Sequence, residues 1–299
     1  MTDRAVAADD SDVGQLNALL TRLLAAVSQQ FFHMLLLGER RQSEMVARLK
    51  LIDDEDFPNA MRIIDLLLNR GAPILIEPHL VAPANSTGAI LRTELAFEED
   101  LAAFLPSLEV RSGEAQERVA KAKAPRDDYR AWLVDTLRQT PADPDASPDV
   151  RESPRLYSVL LQLVEQTLLH AFANWHEGRR AEASTSWQIS GAAMLYLTAL
   201  AEFSGSDNHP SGGIEIPGST VADSRVRFHS DIRLVRESAV CAEEIAEASD
   251  HPRLAQLCST IAADCNRIAR TTNGEPIDAE FGRSAVFRDF RRARDRMNR

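Results

Sequence analysis

The sequence predicts an all-α protein built from two copies of one helical unit. Apolar residues recur at three- and four-residue steps through most of the chain, as in amphipathic helices. Gln29-Gln30-Phe31-Phe32-His33 ends one such stripe, and Gln166-Thr167-Leu168-Leu169-His170 ends another 137 residues later. A repeat of that length is a whole domain rather than a solenoid unit. A proline-rich segment over 141–154, which a helix cannot continue through, separates the halves.

Each helix is predicted from its apolar stripe and from the residues that end it. The first carries the clearest stripe: Leu16, Leu19, Leu20, Leu23, Val27 and Phe31. The second ends at Gly71-Ala72-Pro73, and a non-helical stretch follows over 74–88. The expected helices are 14–37, 57–70, 90–109 and 115–139 in the first half, and 155–178, 184–203, 224–249 and 252–272 in the second.

In each half the one long connection lies between the second and third helices. Short links elsewhere favour antiparallel neighbours, and a single long crossover in the middle is the connectivity of ferritin-like four-helix bundles. We therefore predict two such bundles in tandem. The expected boundaries are a first bundle over 14–140, a linker over 141–154, a second bundle over 155–273 and a basic tail over 276–299.

Composition and charge narrow the functional classes. The chain has 299 residues, 44% of them hydrophobic, and a net charge of −11, which disfavours nucleic-acid binding by the body of the protein. No apolar run long enough to span a bilayer is expected, and the acidic start over 1–12 is unlike a signal peptide. Cys241, Cys258 and Cys265 are interpreted as reduced core residues. A cytoplasmic protein is therefore expected.

The chain ends in a strongly basic segment. From 283 to 299 there are seven arginines against Asp289 and Asp295. The favoured interpretation is a solvated helical tail that folds back onto the acidic body. The alternative is a docking segment for an acidic protein partner, with nucleic acid a weaker possibility.

Several segments of the first half resemble the bacterioferritin family. Leu16-Asn17 through Gln30-Phe31-Phe32-His33 is similar to the first family helix, which runs Leu-Asn…Glu-Leu-x-Ala-x-x-Gln-x-Phe-x-His. Leu91-Arg92-Thr93-Glu94-Leu95-Ala96-Phe97-Glu98 is similar to the third, Leu-Arg-x-Asp-Leu-Ala-x-Glu. Ala60 to Leu68 resembles the second, and Trp132-Leu133 the fourth. The resemblance covers roughly 14–139 and reaches the second half only through the internal repeat.

The resemblance implies a core site for two iron ions. In the family, the first and third helices each supply a Glu, and the second and fourth each supply Glu-x-x-His. Carried over residue by residue, the second-helix pair falls on Asp56 and Asn59, and the third-helix Glu falls on Glu98. The positions that depart from the family are Leu23 on the first helix, Arg126 and Tyr129 on the fourth, and Phe57 in place of the haem-binding Met.

Three states of this core are consistent with the sequence. In the favoured one, the Arg126 guanidinium neutralises Asp56 and Glu98, and no cofactor is bound. In the second, Asp56 and Glu98 hold a weakened metal site, with Asn59 and His33 as poorer ligands. The third is a working dinuclear iron oxidase, against which Leu23 counts because it has no lone pair to offer.

The second half has lost the family pattern further. Residues 187–201, the expected second helix, contain no Asp, Glu or His, and Val235 corresponds to Glu98. No dinuclear site is expected there. His170 and His176 are interpreted as interfacial or partly exposed helix residues without an acidic partner, and His229 and His251 as residues at helix starts.

The duplication suggests a pseudo-dimer within one chain, which itself is a monomer or a homodimer. Two apolar faces are expected to pack together across a pseudo-twofold axis: Phe31, Phe32 and 34–37 from the first half, and Leu168, Leu169, Phe172 and Trp175 from the second. With no phosphate loop or hydrolase motif in the sequence, a non-enzymatic binding, scaffold or regulatory module is favoured. The alternative is a bacterioferritin-related iron-binding or ferroxidase-type protein with chemistry only in the first bundle.

Overall fold

The computed structural model describes residues 10–39, 41–82, 84, 86–124, 126–140, 155–203, 214–216, 218–220 and 224–271. These residues are mostly α-helical, which confirms the predicted all-α class. They fall into two compact units, the first holding the described residues of the first half together with Gly218–Thr220. The predicted linker over 141–154 and the basic tail over 276–299 lie outside the described residues.

The helices follow the predicted order. The first unit contains α1 (Asp10–Glu39), α2 (Ser43–Asn69), α3 (Thr87–Phe104), a 3-10 turn (Leu105–Ser107), α4 (Gly113–Lys123) and α5 (Arg126–Gln139). The second half supplies α6 (Arg155–His176), α7 (Arg180–Phe203), α8 (Ser224–Ala248) and α9 (Pro252–Thr271). Short strands lie in the long connections: β1 (Leu75–Ile76), β2 (His79–Val81), β3 (Ile214–Ile216) and β4 (Ser219–Thr220).

Helix α2 begins 14 residues earlier than predicted, at Ser43 rather than near 57. Proline is favoured in the first turn of a helix and disfavoured in its interior, and Pro58 lies next to the expected start. The structure places Pro58 inside the helix instead. A continuous buried stripe explains the difference: Leu49, Ile52, Asp56, Asn59, Ile63 and Leu67 recur at three- and four-residue steps on both sides of the proline.

The predicted fourth helix is two helices. α4 ends at Lys123 and α5 begins at Arg126, and the sequence has Pro125 between them. Proline lacks the amide hydrogen that a continuous helix would need there. Because of this break, Arg126 is the first residue of α5 rather than a residue inside a longer helix.

The first unit packs α1 against α2, α2 against α4, and α3 against α5. Two apolar clusters lie around these contacts. One contains Leu36, Leu37, Leu49 and Ile90, and the other contains Ile52, Leu91, Tyr129 and Leu133. Trp132 packs against both, with its ring stacked on Tyr129 at 5.7 Å between centroids. This packing buries α1, α2 and α3 on the faces that carry the polar core residues.

A polar stripe on α1 holds the first long connection in place. Asn17 donates to the Pro73 carbonyl at 3.0 Å and accepts from the Leu75 amide at 2.9 Å. One turn later, the Thr21 hydroxyl accepts from the Glu77 amide at 3.1 Å. Gln29 accepts from the Ala82 amide at 3.4 Å. These residues satisfy backbone groups that the non-helical connection leaves without helical partners.

A strand from the second half completes the first unit. β1 and β4 pair antiparallel, with Leu75 opposite Thr220 and Ile76 opposite Ser219. Gly218 precedes β4, and a Cβ at that position would lie 2.5 Å from the Ile76 carbonyl oxygen. Only glycine lets the two backbones approach so closely.

In the second unit, α6 packs against α7, α8 packs against α9, and α6 also contacts α8. The three cysteines are free and buried, as predicted. Burial raises the pKa of the Cys258 thiol to about 11 and that of Cys265 to about 12. Such thiols behave as small apolar core groups rather than as nucleophiles.

One helix among the described residues is long and apolar enough to cross a membrane. It is the segment Asp12–Gly38 within α1, with a mean hydropathy of 1.2, so the expectation that no such segment exists is wrong. Of its most apolar window, 72% is buried in the protein. A buried core helix passes this test of length and composition as readily as a membrane span does.

We predict that Gly218→Ala destabilises the protein while Gly191→Ala does not. The added methyl group at 218 meets the Ile76 carbonyl, and overpacking of this kind costs about 1–3 kcal/mol. Nothing lies within 4 Å of a Cβ at Gly191, a helical position where alanine is favoured by roughly 0.5–1 kcal/mol. Chemical denaturation of both variants measures the difference. Equal effects of the two substitutions would contradict the close approach of β4 to β1.

Candidate functional site

A buried polar cluster lies in the core of the first unit, where α2, α3 and α5 meet. Its centre is Arg126, which is 2% exposed. The guanidinium Nε donates back to the Ala122 carbonyl at 2.9 Å, across the break between α4 and α5. This bond fixes the plane of the guanidinium and leaves both terminal nitrogens free to face the core.

Each terminal nitrogen of Arg126 binds one carboxylate. Nη2 donates to Asp56 Oδ1 on α2 at 2.5 Å, and Nη1 donates to Glu98 Oε1 on α3. Both acids are buried. The predicted neutralisation of Asp56 and Glu98 by Arg126 is therefore confirmed as a contact. The guanidinium also ties three helices together through charge-assisted hydrogen bonds.

A second group of polar residues lies in the same core. Glu94, one turn before Glu98 on α3, pairs through Oε1 with His33 Nδ1 on α1 and accepts from the Tyr129 hydroxyl at 3.1 Å. The other ring nitrogen of His33 lies 3.2 Å from the Ala82 carbonyl. His33 therefore links α1 to α3 through Glu94 and lies against the long connection at Ala82.

Asn59 does not join the acids. Its side-chain amide donates to the Arg118 carbonyl at 3.0 Å, which links α2 to α4. Arg126 thus brings Asp56 and Glu98 together, whereas the His33 side chain pairs with Glu94. Glu94 and Tyr129 are members of the cluster that the sequence did not put forward as site residues. The signal for Glu94 was its place one turn before Glu98 on the same face of the helix.

The cluster holds more acid than base. Three buried carboxylates, those of Asp56, Glu94 and Glu98, share Arg126 and His33. Burial raises the pKa of Glu98 to about 7, although Arg126 opposes the shift. Burial likewise raises the pKa of Asp56 above its ordinary value, again against the effect of Arg126. Burial also raises the pKa of the Tyr129 hydroxyl well above its ordinary value, so Tyr129 stays a hydrogen-bond donor.

The residues at this site do not fit the dinuclear metal centre that the resemblance implies. The guanidinium of Arg126 lies between Asp56 and Glu98, in the place that a metal ion held by these two acids would need. Leu23, at the position of the first-helix ligand, is fully buried and has no donor atom. Within the described ranges, no group of three or more His, Cys, Asp or Glu side chains is arranged to hold a metal ion.

The second unit contains a smaller buried polar cluster that the sequence interpretation missed. Asp231 on α8 accepts from His170 Nδ1 at 2.7 Å, from Gln166 at 3.0 Å and from the Ser186 hydroxyl at 3.3 Å. His170 is 1% exposed, so the prediction of an interfacial or partly exposed histidine without an acidic partner is wrong. His176, by contrast, is exposed as expected.

The two clusters share one pair of residues. His33 and Glu94 are separated by 61 residues, and His170 and Asp231 are separated by the same number. The two repeats are offset by 137 residues, so Asp231 is the counterpart of Glu94 and Val235 is the counterpart of Glu98. Both halves thus keep a buried histidine–carboxylate bond between the first and third helices, and only the first half keeps the additional acids.

Comparison with known proteins adds no relative. No protein-family model, no curated protein and no solved structure matches the chain significantly.

We predict that Glu98 makes the protein less stable as the pH rises. The folded pKa of about 7 lies above the ordinary value of 4.5, so the folded protein retains a proton that the unfolded chain releases. The contribution is present below pH 4.5 and is lost as the pH rises through 7. Its size is on the order of 3 kcal/mol, at about 1.4 kcal/mol for each pKa unit.

Denaturation of the wild type and of Glu98→Gln between pH 4.5 and 8 tests this dependence. Glutamine keeps an oxygen for Arg126 but cannot titrate, so the variant should lose less stability over that range. Burial also raises the pKa of Asp53 to about 6, but its effect on the pH dependence of stability is the same in both proteins. Identical slopes for the two proteins would show that Glu98 is ionised throughout.

We predict that Asp231→Ala strongly destabilises the second unit. The substitution leaves His170 and Ser186 as buried donors without an acceptor, while Gln166 keeps only its bond to Ser230. Their lost hydrogen bonds cost on the order of 3 kcal/mol. Asp250→Ala, at an exposed position between α8 and α9, is the matched control and should change little. Thermal denaturation measures both, and equal melting temperatures would argue against the cluster.

Proposed function

We propose that the protein is a tandem pair of ferritin-like helical bundles that works as a non-enzymatic binding or scaffold module. The helix order supports this architecture, because the long connection follows the second helix in both halves. The repeated histidine–carboxylate bond supports a duplication of one ancestral unit. In this view the chain is its own pseudo-dimer.

The observation that carries the non-enzymatic assignment is the position of Arg126. A guanidinium is a permanent cation, and it cannot accept electrons or exchange ligands as iron does. It satisfies one oxygen of Asp56 and one of Glu98, the acids retained from the family pattern. The core acids therefore have a built-in counter-ion, and no catalytic metal is needed to make their burial tolerable.

The second candidate function is iron binding or oxidation confined to the first bundle. It is favoured by the number of acids in one core, with Asp56, Glu94 and Glu98 all buried and the second Glu98 oxygen lacking a hydrogen-bond partner within the described ranges. For a metal to enter, Arg126 would have to leave its two carboxylates. We favour the first function because that displacement would leave a buried guanidinium without partners.

We also propose a cytoplasmic location, with the basic tail as a contact for an acidic protein partner. Three free, buried thiols suit a reducing compartment. The tail carries a local positive charge on a chain whose net charge is −11. Contact with a membrane or with nucleic acid forms no part of the proposal.

We predict that protein purified from iron-supplemented cells contains far less than one iron per chain. It should also oxidise Fe²⁺ no faster than buffer does. Elemental analysis and an oxygen-consumption assay measure the two quantities, with a bacterioferritin as positive control. Two irons per chain, together with iron oxidation above the buffer rate, would establish the second candidate function.

A pair of arginine variants tests the role of Arg126 itself. Arg126→Ala leaves Asp56 and Glu98 buried without their counter-ion, which costs roughly 3–5 kcal/mol. If Arg126 replaces a metal, added Mn²⁺ should restore part of the lost melting temperature. Arg118→Ala is the control, because Arg118 is another buried arginine but pairs with the exposed Glu117. Manganese should not affect that variant or the wild type.

A further inference from the structure

An open aromatic groove lies at one end of the α6–α7 pair in the second unit. Its volume is about 380 Å³. The residues that shape it are Phe172 and Trp175 from α6, and Arg180, Ala183, Ser184 and Trp187 from α7. We refer to these six residues as the aromatic groove. It is separate from both buried polar clusters, none of whose members lines it.

Three rings converge on the groove and remain open to solvent. Phe172 and Trp187 meet edge to face, with 6.2 Å between their centroids and 66° between their planes. Trp175 is 59% exposed and Trp187 is 52% exposed. Two large exposed tryptophans on one surface are uncommon on a soluble protein, and such rings are enriched where proteins bind their partners and ligands.

The groove has one cationic end. The Arg180 guanidinium lies over the Trp175 ring, 4.3 Å from its centroid. No carboxylate in the described part of the chain forms an ion pair with it. Of the two acids that flank it in the sequence, Glu177 pairs with Arg179 at 3.2 Å and with the buried Arg227, and Glu182 is exposed. The Arg180 guanidinium thus places one positive charge against the apolar rings.

We propose that the aromatic groove binds a small amphipathic anion with a flat apolar body and a carboxylate or equivalent acidic group. The body would stack among Phe172, Trp175 and Trp187, and the acid would pair with Arg180, whose position over Trp175 orients it toward the groove. This inference rests on the proposed function as a binding module and names the class of ligand. The site lies in the unit that kept none of the family's core acids except Asp231.

The size of the groove favours a small molecule over a macromolecule. Its volume lies within the range of about 300–1,000 Å³ typical of small-molecule sites. A stable protein interface needs roughly 1,200 Å² or more of buried surface, which six side chains do not supply. Arg180 is exposed at the edge of the groove, and its positive charge favours an anionic ligand over a neutral one of the same shape.

The probe for this proposal is 8-anilinonaphthalene-1-sulfonate, an aromatic anion whose fluorescence rises in apolar surroundings. N-phenyl-1-naphthylamine, which has the same rings and no sulfonate, is the matched neutral probe. We expect the wild-type protein to bind one molecule of the anionic probe per chain saturably. The anion should bind at least about tenfold more tightly than the neutral probe, and tryptophan fluorescence should be quenched in parallel.

Two variants separate the roles of the rings and the charge. Trp187→Ala should weaken both probes by roughly tenfold or more, because both use the rings. Arg180→Ala should weaken only the anion and abolish its advantage over the neutral probe. Leu51→Ala and Arg253→Ala are the controls, since they remove an exposed apolar side chain and an exposed arginine outside the groove. Far-ultraviolet circular dichroism confirms that each variant is folded.

Several results would overturn the proposal. One is the absence of saturable binding, and another is binding that Trp187→Ala and Arg180→Ala leave unchanged. Sedimentation showing a dimer that Trp187→Ala dissociates would assign the groove to a second copy of the chain instead. Iron content and probe binding are independent measurements on the same protein. Failure of the groove and failure of the metal-free core are therefore distinguishable.

Discussion

The first unit depends on keeping one guanidinium charged inside a helical core. Moving the charged side chains of Arg126, Asp56 and Glu98 out of water costs free energy. The ion pairs of Arg126 with the two carboxylates offset this cost. Such a cluster contributes less to net stability than to specificity, because any sliding of α2 or α3 against α5 would separate the charges. The register of the three helices and the position of the Arg126 side chain therefore determine each other.

One buried bond occurs at equivalent positions of the two halves. In each half a histidine on the first helix is bonded to a carboxylate on the third. In the first unit this bond accompanies a polar stripe on α1 that satisfies the backbone of the long connection. In the second unit Gln166 donates to Asp231 and Ser230. The polar groups around the shared bond therefore differ between the two units.

The sequence predicted the helical class, most of the helix ends and the contact of Arg126 with Asp56 and Glu98. These depend on apolar periodicity and on charge complementarity, which are local or carried by a few residues. The predicted start of α2 near 57 omitted its first half, although the buried stripe continues on both sides of Pro58. The single helix predicted over 115–139 did not include the break before Arg126, where the sequence has Pro125.

The partner of His170 was missed for a different reason. A contact across 61 residues depends on the relative heights of two helices, which no local pattern encodes. The information was present in the internal repeat, since the offset that relates the two Gln-x-x-x-His units also relates Glu94 to Asp231. Phe172 and Trp175 belong to an apolar face predicted from the sequence, but no sequence pattern indicated that Trp187 on the next helix lies beside Phe172.

The pairing of β1 with β4 has a consequence for how the chain can be divided. Gly218–Thr220 lies far beyond the proline-rich segment over 141–154, yet it belongs to the compact unit formed by the first half. A cut near residue 147 would leave the amino-terminal fragment with an unpaired β1 backbone. The proline-rich segment is therefore not a boundary at which the first unit can be isolated intact.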